Sequence, residues 1–144
     1  MRLEVLLLVF TSILLSAKET TPAEFWSSYN KAEKIAFVNG SFGAFSKIKS
    51  HHKSEVRKQY MHDDNWREPY FIERFYNIID EYIAKEIGYN LEIIVMHLDA
   101  FYTNSDNINI PILEALRIVS LIQDGEKKIA NTRLLKSQQK HNKY

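Results

Sequence analysis

The hydrophobic residues of this chain recur with the spacing of an α-helix over most of its length. Two segments show this most clearly, with apolar side chains three and four residues apart and polar ones between them. In the first, which begins at Tyr70, the apolar positions are Ile72, Phe75, Tyr76, Ile79, Tyr82 and Ile83. In the second, which follows Asn90, they are Leu91, Ile94, Val95, Leu98, Phe101 and Tyr102. Both are predicted to be amphipathic helices, and Gly88 ends the first.

Helix signals also mark the segment that starts at Thr21. Thr21 and Glu24 have the spacing of a capping box, and the proline between them stands at the first helical position. Apolar spacing continues to about residue 59, which predicts one long helix from 22 to 59; the alternative is that Asn39 and Gly40 end it. Four small residues share one line along this helix: Ala32, Ala36, Gly40 and Ala44. Such a strip would let another helix approach closely.

Polar, turn-rich segments separate the helices. Residues 61–69 and 103–109 are predicted to be loops, with Trp66 folded back onto the core. A further helix starts at Pro111 and ends at Gly125, and its inner face comprises Ile112, Ala115, Leu116, Val119 and Ile122. From Glu126 the apolar spacing weakens. The chain is therefore predicted to be all-α, a single-domain bundle of four to five helices after an N-terminal signal helix.

The first seventeen residues have the order of a secretory signal peptide. Arg2 precedes an apolar run at residues 5–15, and the small residues Ser16 and Ala17 follow. The run has about eleven residues, against roughly 20 for a helix that crosses a membrane. We therefore predict a signal peptide at 1–17, a helical domain at 18–135 and a frayed tail at 136–144. The alternatives for residues 1–17 are a membrane anchor or a buried first helix.

This prediction implies a protein exported to the periplasm or secreted, with no stable membrane span after signal cleavage. The overall charge adds little, because 19 basic side chains nearly balance 18 acidic ones and create no field that would attract nucleic acid. The absence of cysteine excludes a disulfide scaffold, a thiolate nucleophile and a zinc ribbon. No glycine-rich phosphate loop, Gly-x-Ser-x-Gly motif or Glu-x-x-His pair occurs in the sequence.

The densest group of potential metal ligands comprises His51, His52, Glu55, His62, Asp63 and Asp64. Five cations surround it in sequence, and they would repel a metal ion: Lys47, Lys49, Lys53, Arg57 and Lys58. We interpret the group as a solvated, charged helix end and predict no metal ligand and no cofactor. The basic segment 46–58 could instead meet lipid headgroups, an anionic glycan or an acidic protein.

Five carboxylates are available for the acid pair of a hydrolase: Glu73, Asp80, Glu81, Glu92 and Asp99. Such a pair needs surroundings that drive two pKa values apart. Each of the five instead falls on a predicted polar helix face, where solvent surrounds it, so we predict no catalytic residue. Asp99 and Tyr102, beside residues 104–107, form a polar rim that we interpret as loop structure.

A resemblance to known families follows from the aromatic residues Phe25, Trp26 and Tyr29 and from Gly40 in a helix lined with small residues. This layout, over roughly residues 22–122, resembles the periplasmic Tai immunity proteins. The resemblance implies a helical, non-enzymatic protein that neutralises a type VI secreted amidase by binding it; the Tai pattern includes cysteines, which this chain lacks. A second set also looks like uncharacterised exported bacterial proteins: Phe101, Tyr102, Asn107, Ile110, Pro111, Ile112, Glu114, Ala115 and Leu116.

We therefore predict a non-catalytic protein-binding module of the bacterial envelope, similar to an immunity protein, whose partner is a protein of that envelope. The alternatives are a small hydrolase or metal-dependent enzyme that uses residues 51–64, and a structural envelope component. Binding predicts an exposed aromatic or basic patch and no pocket lined by convergent acids or histidines. The hypothesis of a metal-dependent enzyme predicts that His51, His62 and Asp63 converge with the geometry of metal ligands.

Overall fold

A computed structural model describes residues 20–86 and 90–142, and all of the regular structure in these ranges is helical. Its six α-helices are α1 (Pro22–Ser28), α2 (Lys31–Tyr60), α3 (Tyr70–Asp80), α4 (Leu91–Phe101), α5 (Ile112–Gln123) and α6 (Lys127–His141). A 3-10 turn, Ser105–Asn107, lies between α4 and α5. The predicted all-α class is confirmed. The predicted signal peptide at 1–17 and the predicted stop at Gly88 lie outside the described residues.

The helix predicted from 22 to 59 is two helices, α1 and α2. The expected capping box starts α1, where the Thr21 hydroxyl accepts a hydrogen bond from the Glu24 amide at 3.1 Å. A second capping box starts α2, where the Asn30 side chain accepts from the Glu33 amide at 3.0 Å and the Glu33 carboxylate accepts from the Asn30 amide at 2.7 Å. Between them Tyr29 has extended backbone. The prediction of a single helix was wrong because these local side-chain hydrogen bonds pair the backbone N–H groups of Asn30 and Glu33 without helical geometry at Asn30.

Asn30→Ala is expected to lower the free energy of unfolding by about 1 kcal/mol, because it removes the oxygen that caps α2. Urea denaturation followed by far-ultraviolet circular dichroism measures the change. Ser27→Ala, at an exposed position of α1, is the control and should shift the free energy by less than about 0.5 kcal/mol. If the two variants were equally stable, the second capping box would not be what holds the break between α1 and α2.

The strip of small residues on α2 faces solvent, contrary to the prediction of close helix packing. Its four members are all exposed, and a Cβ added at Gly40 would meet no described atom within 4 Å apart from the adjacent backbone of its own helix. The adjacent line of α2 faces the core instead, with Val38 buried and Ile35 and Phe42 partly buried. These larger side chains remove more apolar surface from water than a strip of alanines can. Helix α2 does pass Gly40 without a break, as predicted, and ends at Tyr60.

The core lies where α1, α4 and α5 meet the first half of α2. Its buried members are Ala23, Trp26, Val38, Ala84, Ile94, Val95, Leu98, Tyr102, Ile110, Ala115, Leu116 and Val119. The predicted inner face of α4 is therefore confirmed. On α3, Ile72, Tyr76 and Ile79 are buried, but Phe75 is exposed.

Helix α5 buries more of its surface than its predicted inner face contains. Ile122 belongs to that predicted face but is exposed, whereas Ile118 and Leu121 are buried. These two residues pack with Ala130 of α6, which covers a second side of α5. Gly125, with a φ of 79°, ends the turn that joins α5 to α6. The predicted inner face was incomplete because the weak apolar spacing after Glu126 did not show that a helix there covers a second side of α5.

Helix α6 continues to His141, so residues 136–141 of the predicted frayed tail are helical. Polar contacts hold this part of the chain. The Ser137 hydroxyl donates to Glu114 at 2.8 Å, the Gln138 amide donates to Asn107 at 2.9 Å, and the Asn142 amide donates to the Asp106 carbonyl at 2.6 Å. The tail prediction was wrong because apolar spacing carries no sign of such bonds. None of the helices in the described ranges is long and apolar enough to span a bilayer.

Candidate functional site

The second half of α2 and the whole of α3 form an antiparallel helix pair. Lys49 lies 2.5 Å from the Asp80 carboxylate, while His52 lies 3.0 Å from the Tyr76 hydroxyl. Residue numbers thus rise on α2 as they fall on α3. Most side chains of residues 46–60 are exposed, so this half of α2 extends beyond the core. The pair ends where the last turn of α2, the loop at 61–69 and the first turn of α3 meet.

Large apolar side chains gather at that end, and we call them the aromatic tip: Tyr60, Met61, Trp66, Tyr70, Phe71 and Phe75. Tyr70, Phe71 and Met61 are 76%, 71% and 64% exposed, which makes them the three most exposed large apolar side chains in the described ranges. The Trp66 ring stacks on Tyr60 with 5.0 Å between centroids. The prediction that Trp66 folds back onto the core was therefore wrong, because Tyr60 offers it a partner at the end of α2.

Phe71 and Phe75 lie one helical turn apart on α3, which places them on the same face. The Phe75 ring is 5.0 Å from the His52 ring, so this face borders α2. Leaving several large apolar side chains in water forfeits the favourable free energy of burying them. An exposed cluster rich in Tyr, Trp, Phe and Met has the composition of the core of a protein interface.

Charged residues of both signs lie beside the aromatic tip, with cations more frequent at the end of α2 and carboxylates more frequent in the loop that follows. Lys53 and Arg57 are exposed on one face of α2, and neither has a carboxylate within ion-pair distance among the described residues; we call them the basic ridge. The loop that follows carries three exposed carboxylates, Asp63, Asp64 and Glu68, against one exposed arginine, Arg67, and we call it the acidic loop. The aromatic tip therefore lies between a positive edge and a negative edge.

The structure does not bring the histidine and acid cluster of residues 51–64 together as a metal site. Across the described ranges, no three His, Asp or Glu side chains are placed to hold a metal ion. His52 is engaged by Tyr76, Glu55 pairs with Lys58 at 2.8 Å, and Asp63 accepts the Asn65 amide at 3.0 Å. The Lys58 hydrogen bond lowers the pKa of Glu55. His51, His62 and Asp63 thus do not converge.

Glu81 was expected to face solvent, but it is only 9% exposed. Arg117 Nε donates to it at 2.7 Å, and Arg133 donates through Nε and Nη2 at 3.1 Å each. Burial by itself raises the pKa of Glu81, but the hydrogen bonds from the two arginines outweigh burial and hold the pKa below its usual range. The sequence pattern missed this site because its partners lie on α5 and α6, far along the chain.

Asp80 was also expected on a solvated face, and it lies between two lysines instead. Lys49 and Lys85 contact its two carboxylate oxygens at 2.5 and 2.9 Å. Burial raises the pKa of Asp80, and the hydrogen bonds from both lysines outweigh burial and lower it. Asp80 is therefore ionised and paired at neutral pH.

A cleft of about 470 Å³ does contain several acids, although the binding interpretation predicts no such cleft. Its lining includes five carboxylates, Asp80, Glu81, Glu86, Asp124 and Glu126. The pKa values of Asp80 and Glu81 are both lowered, and Asp124 accepts the Lys85 and Glu86 amides at 2.8 and 3.1 Å. An acid–base pair needs two pKa values driven apart, and these are driven in the same direction. In this cleft Asp80 and Glu81 therefore form ion pairs, and Asp124 holds the loop at residues 85 and 86 in place.

The polar rim at Asp99 and Tyr102 serves the fold, as predicted. Asp99 accepts hydrogen bonds at 2.7 Å from Trp26 Nε1 and from Lys34. The Tyr102 hydroxyl donates to the Ile110 carbonyl at 2.7 Å, and burial raises the pKa of Tyr102. These bonds join α4 to α1, to α2 and to the loop before α5.

The aromatic tip thus contains the most exposed large apolar side chains of the described ranges. Comparisons with protein-family models, with curated proteins and with solved structures give no match to this chain.

Proposed function

We propose that this protein is a non-catalytic, protein-binding module of the bacterial envelope and that the aromatic tip is its binding surface. The observation that carries the proposal is the exposure of Tyr70, Phe71 and Met61 at the end of a helix pair that extends beyond the core. Aromatic side chains and methionine are enriched in the buried centre of protein interfaces. Tyr and Trp are also frequent among the few residues that supply most of the binding free energy.

The charges around the aromatic tip favour a protein partner over a lipid surface. A membrane with anionic lipids attracts the basic ridge but repels the net negative charge of the acidic loop, in which Asp64 and Glu68 each lie two residues from Trp66. A folded protein can match both edges. The partner that fits is a protein with an apolar cleft, carboxylates where it meets Lys53 and Arg57, and cations where it meets the acidic loop.

A non-catalytic role agrees with the state of three buried or partly buried acids. Asp80 and Glu81 have lowered pKa values and cationic partners. The same holds for Glu114: burial raises its pKa, but the hydrogen bonds from Ser137 and Lys140 outweigh burial and lower it. Groups in this state hold helices together at neutral pH and offer no proton to a substrate. The envelope location rests on the signal-like order of residues 1–17, and the immunity-like role rests on the resemblance to the Tai proteins.

Photo-cross-linking in the cells that make the protein tests this proposal. A photoreactive phenylalanine analogue replaces Phe71 in one version of the protein and Leu135 in another. Leu135 is the matched control, because it is also an exposed apolar residue but lies on α6, away from the aromatic tip. We expect one discrete cross-linked protein from position 71 and none of that mass from position 135.

Identification of the cross-linked species by mass spectrometry, followed by binding of the purified protein to the purified chain, completes the test. A defined protein that binds with one-to-one stoichiometry supports the proposal. Cross-links from position 71 to lipid alone, an equal pattern from both positions, or no cross-linked protein from position 71 would contradict it.

A further inference from the structure

A second surface, at the other end of α3 from the aromatic tip, has a different chemistry. A cavity of about 180 Å³ lies between α5 and α6 beside the turn after α3. Its lining includes the side chains of Arg117, Arg133, Lys136 and Lys140, with Ser137 and a single carboxylate, Glu114. This cavity is small, and four cations face it against one acid.

Glu81 fixes the guanidinium groups of Arg117 and Arg133 through hydrogen bonds. Arg117 donates Nε and contacts Glu81 with Nη2, and Arg133 likewise uses Nε and Nη2. Arg117 also lies over the Tyr82 ring, 5.1 Å from its centroid. The remaining nitrogen of each guanidinium, Nη1, has no partner among the described residues. A guanidinium that is already fixed loses little entropy when it binds an anion.

The carboxylates nearby do not neutralise the four cations. Glu81 offsets one charge of the arginine pair, and Glu114 is engaged by Ser137, by Lys140 at 3.1 Å and by His141 at 3.3 Å. Lys136 has no ion pair among the described residues. Two positive charges therefore remain without a counter-charge around the cavity. Repulsion between them is relieved when an anion of two charges enters.

We propose that this cavity binds a phosphoryl dianion, either free phosphate or the phosphate of a small monoester. Two guanidinium nitrogens and two ammonium groups provide donors for the oxygens of such a group. The cavity volume admits an ion of this size. The site shares no residue with the aromatic tip, so the proposal does not depend on the binding function proposed above.

Titration with inorganic phosphate, monitored by amide chemical shifts, tests the site. Sodium chloride at matched ionic strength is the reference, because it reports general screening. We expect saturable shifts for residues of α5 and α6 around the cavity with phosphate and not with chloride. Lys136→Gln should weaken the affinity for phosphate about fivefold, and Lys136→Gln with Lys140→Gln further still.

Lys127→Gln is the matched control, because Lys127 is an exposed lysine at the start of α6 that does not line the cavity. It should bind phosphate like the unmodified protein. Glycerol phosphate is the second probe: equal affinity for both assigns the site to monoesters, and a preference for inorganic phosphate assigns it to the free ion. The site would not exist if phosphate changed the amide chemical shifts no more than chloride does. It would also not exist if the double variant bound phosphate as tightly as the unmodified protein.

Discussion

Trp26→Ala is expected to lower the free energy of unfolding by about 4 kcal/mol, the largest effect among the substitutions considered. Trp26 is 1% exposed, and its ring makes edge contacts with Tyr29 and Phe37 at centroid distances of 6.3 and 6.0 Å. It therefore joins α1 to α2, and its Nε1 donates to Asp99 of α4. Alanine leaves a cavity at the point where three helices meet. Urea denaturation followed by far-ultraviolet circular dichroism measures the change.

The other tryptophan of the chain provides the matched control. Trp66 belongs to the aromatic tip and stacks on Tyr60 outside the core, so Trp66→Ala should cost less than about 1 kcal/mol. Trp26→Phe retains most of the buried volume but loses the bond to Asp99, and it should cost about 1 to 2 kcal/mol. If Trp26→Ala and Trp66→Ala were equally stable, the division between core and tip would be wrong.

Glu81→Gln is expected to lower the free energy of unfolding by about 3 kcal/mol at neutral pH. The substitution removes the negative charge that Arg117 and Arg133 share, and it leaves two partly buried guanidinium groups facing each other. Arg74, which is exposed, approaches the same carboxylate at 4.0 Å, so water reaches one side of the group and keeps the loss at the low end for a buried pair. Glu92→Gln is the control, since its pair with Lys31 is exposed, and should cost less than about 0.5 kcal/mol.

The effect of Glu81→Gln should also depend on pH. Because the pKa of Glu81 is lower in the folded protein than in the unfolded chain, its contribution to stability is present above the unfolded value of about 4.3 and is lost as pH falls through the folded pKa. The difference in unfolding free energy between the unmodified protein and Glu81→Gln should therefore narrow in acid. A difference that stayed constant from pH 7 to pH 3 would show that charge pairing at Glu81 does not stabilise the fold.

Apolar spacing predicted the helices whose stability comes from one buried face. The stripes of α3 and α4 place Ile72, Tyr76, Ile94 and Leu98 inward because a helix at the core must bury such side chains. Spacing failed at Asn30, where polar side chains end one helix and start another within an unbroken apolar pattern. The second capping box was present in the sequence, but the apolar positions on either side of it concealed the break.

The sequence pattern could not predict polar contacts between segments that lie far apart along the chain. Glu81 meets Arg117 and Arg133 only because α5 and α6 fold against the turn after α3. Each residue alone has the pattern of a solvated helix face. The part of α6 beyond residue 135 was missed for the same reason, since Ser137 and Gln138 hold it to the rest of the chain through hydrogen bonds.

The aromatic tip was hidden by the same periodicity that predicted the core. Phe75 falls on the apolar stripe of α3, and spacing cannot distinguish a position over the core from one on a helix turn that extends past it. One signal was available in the sequence: Met61, Trp66, Tyr70 and Phe71 occur in or beside a turn-rich segment, where large apolar side chains have little core to enter. Only the position of the helix pair relative to the core showed that they remain exposed.

The role of the aromatic tip is tested most directly by calorimetry. The partner identified by cross-linking is purified and titrated against matched variants of the chain. Phe71→Ser should weaken binding at least about thirtyfold, the loss expected when a central interface aromatic is removed, while circular dichroism and stability remain unchanged. Leu135→Ser, at the exposed control position on α6, should bind within about twofold of the unmodified protein. An affinity for Phe71→Ser equal to that of the unmodified protein would contradict the assignment of the aromatic tip as the binding surface.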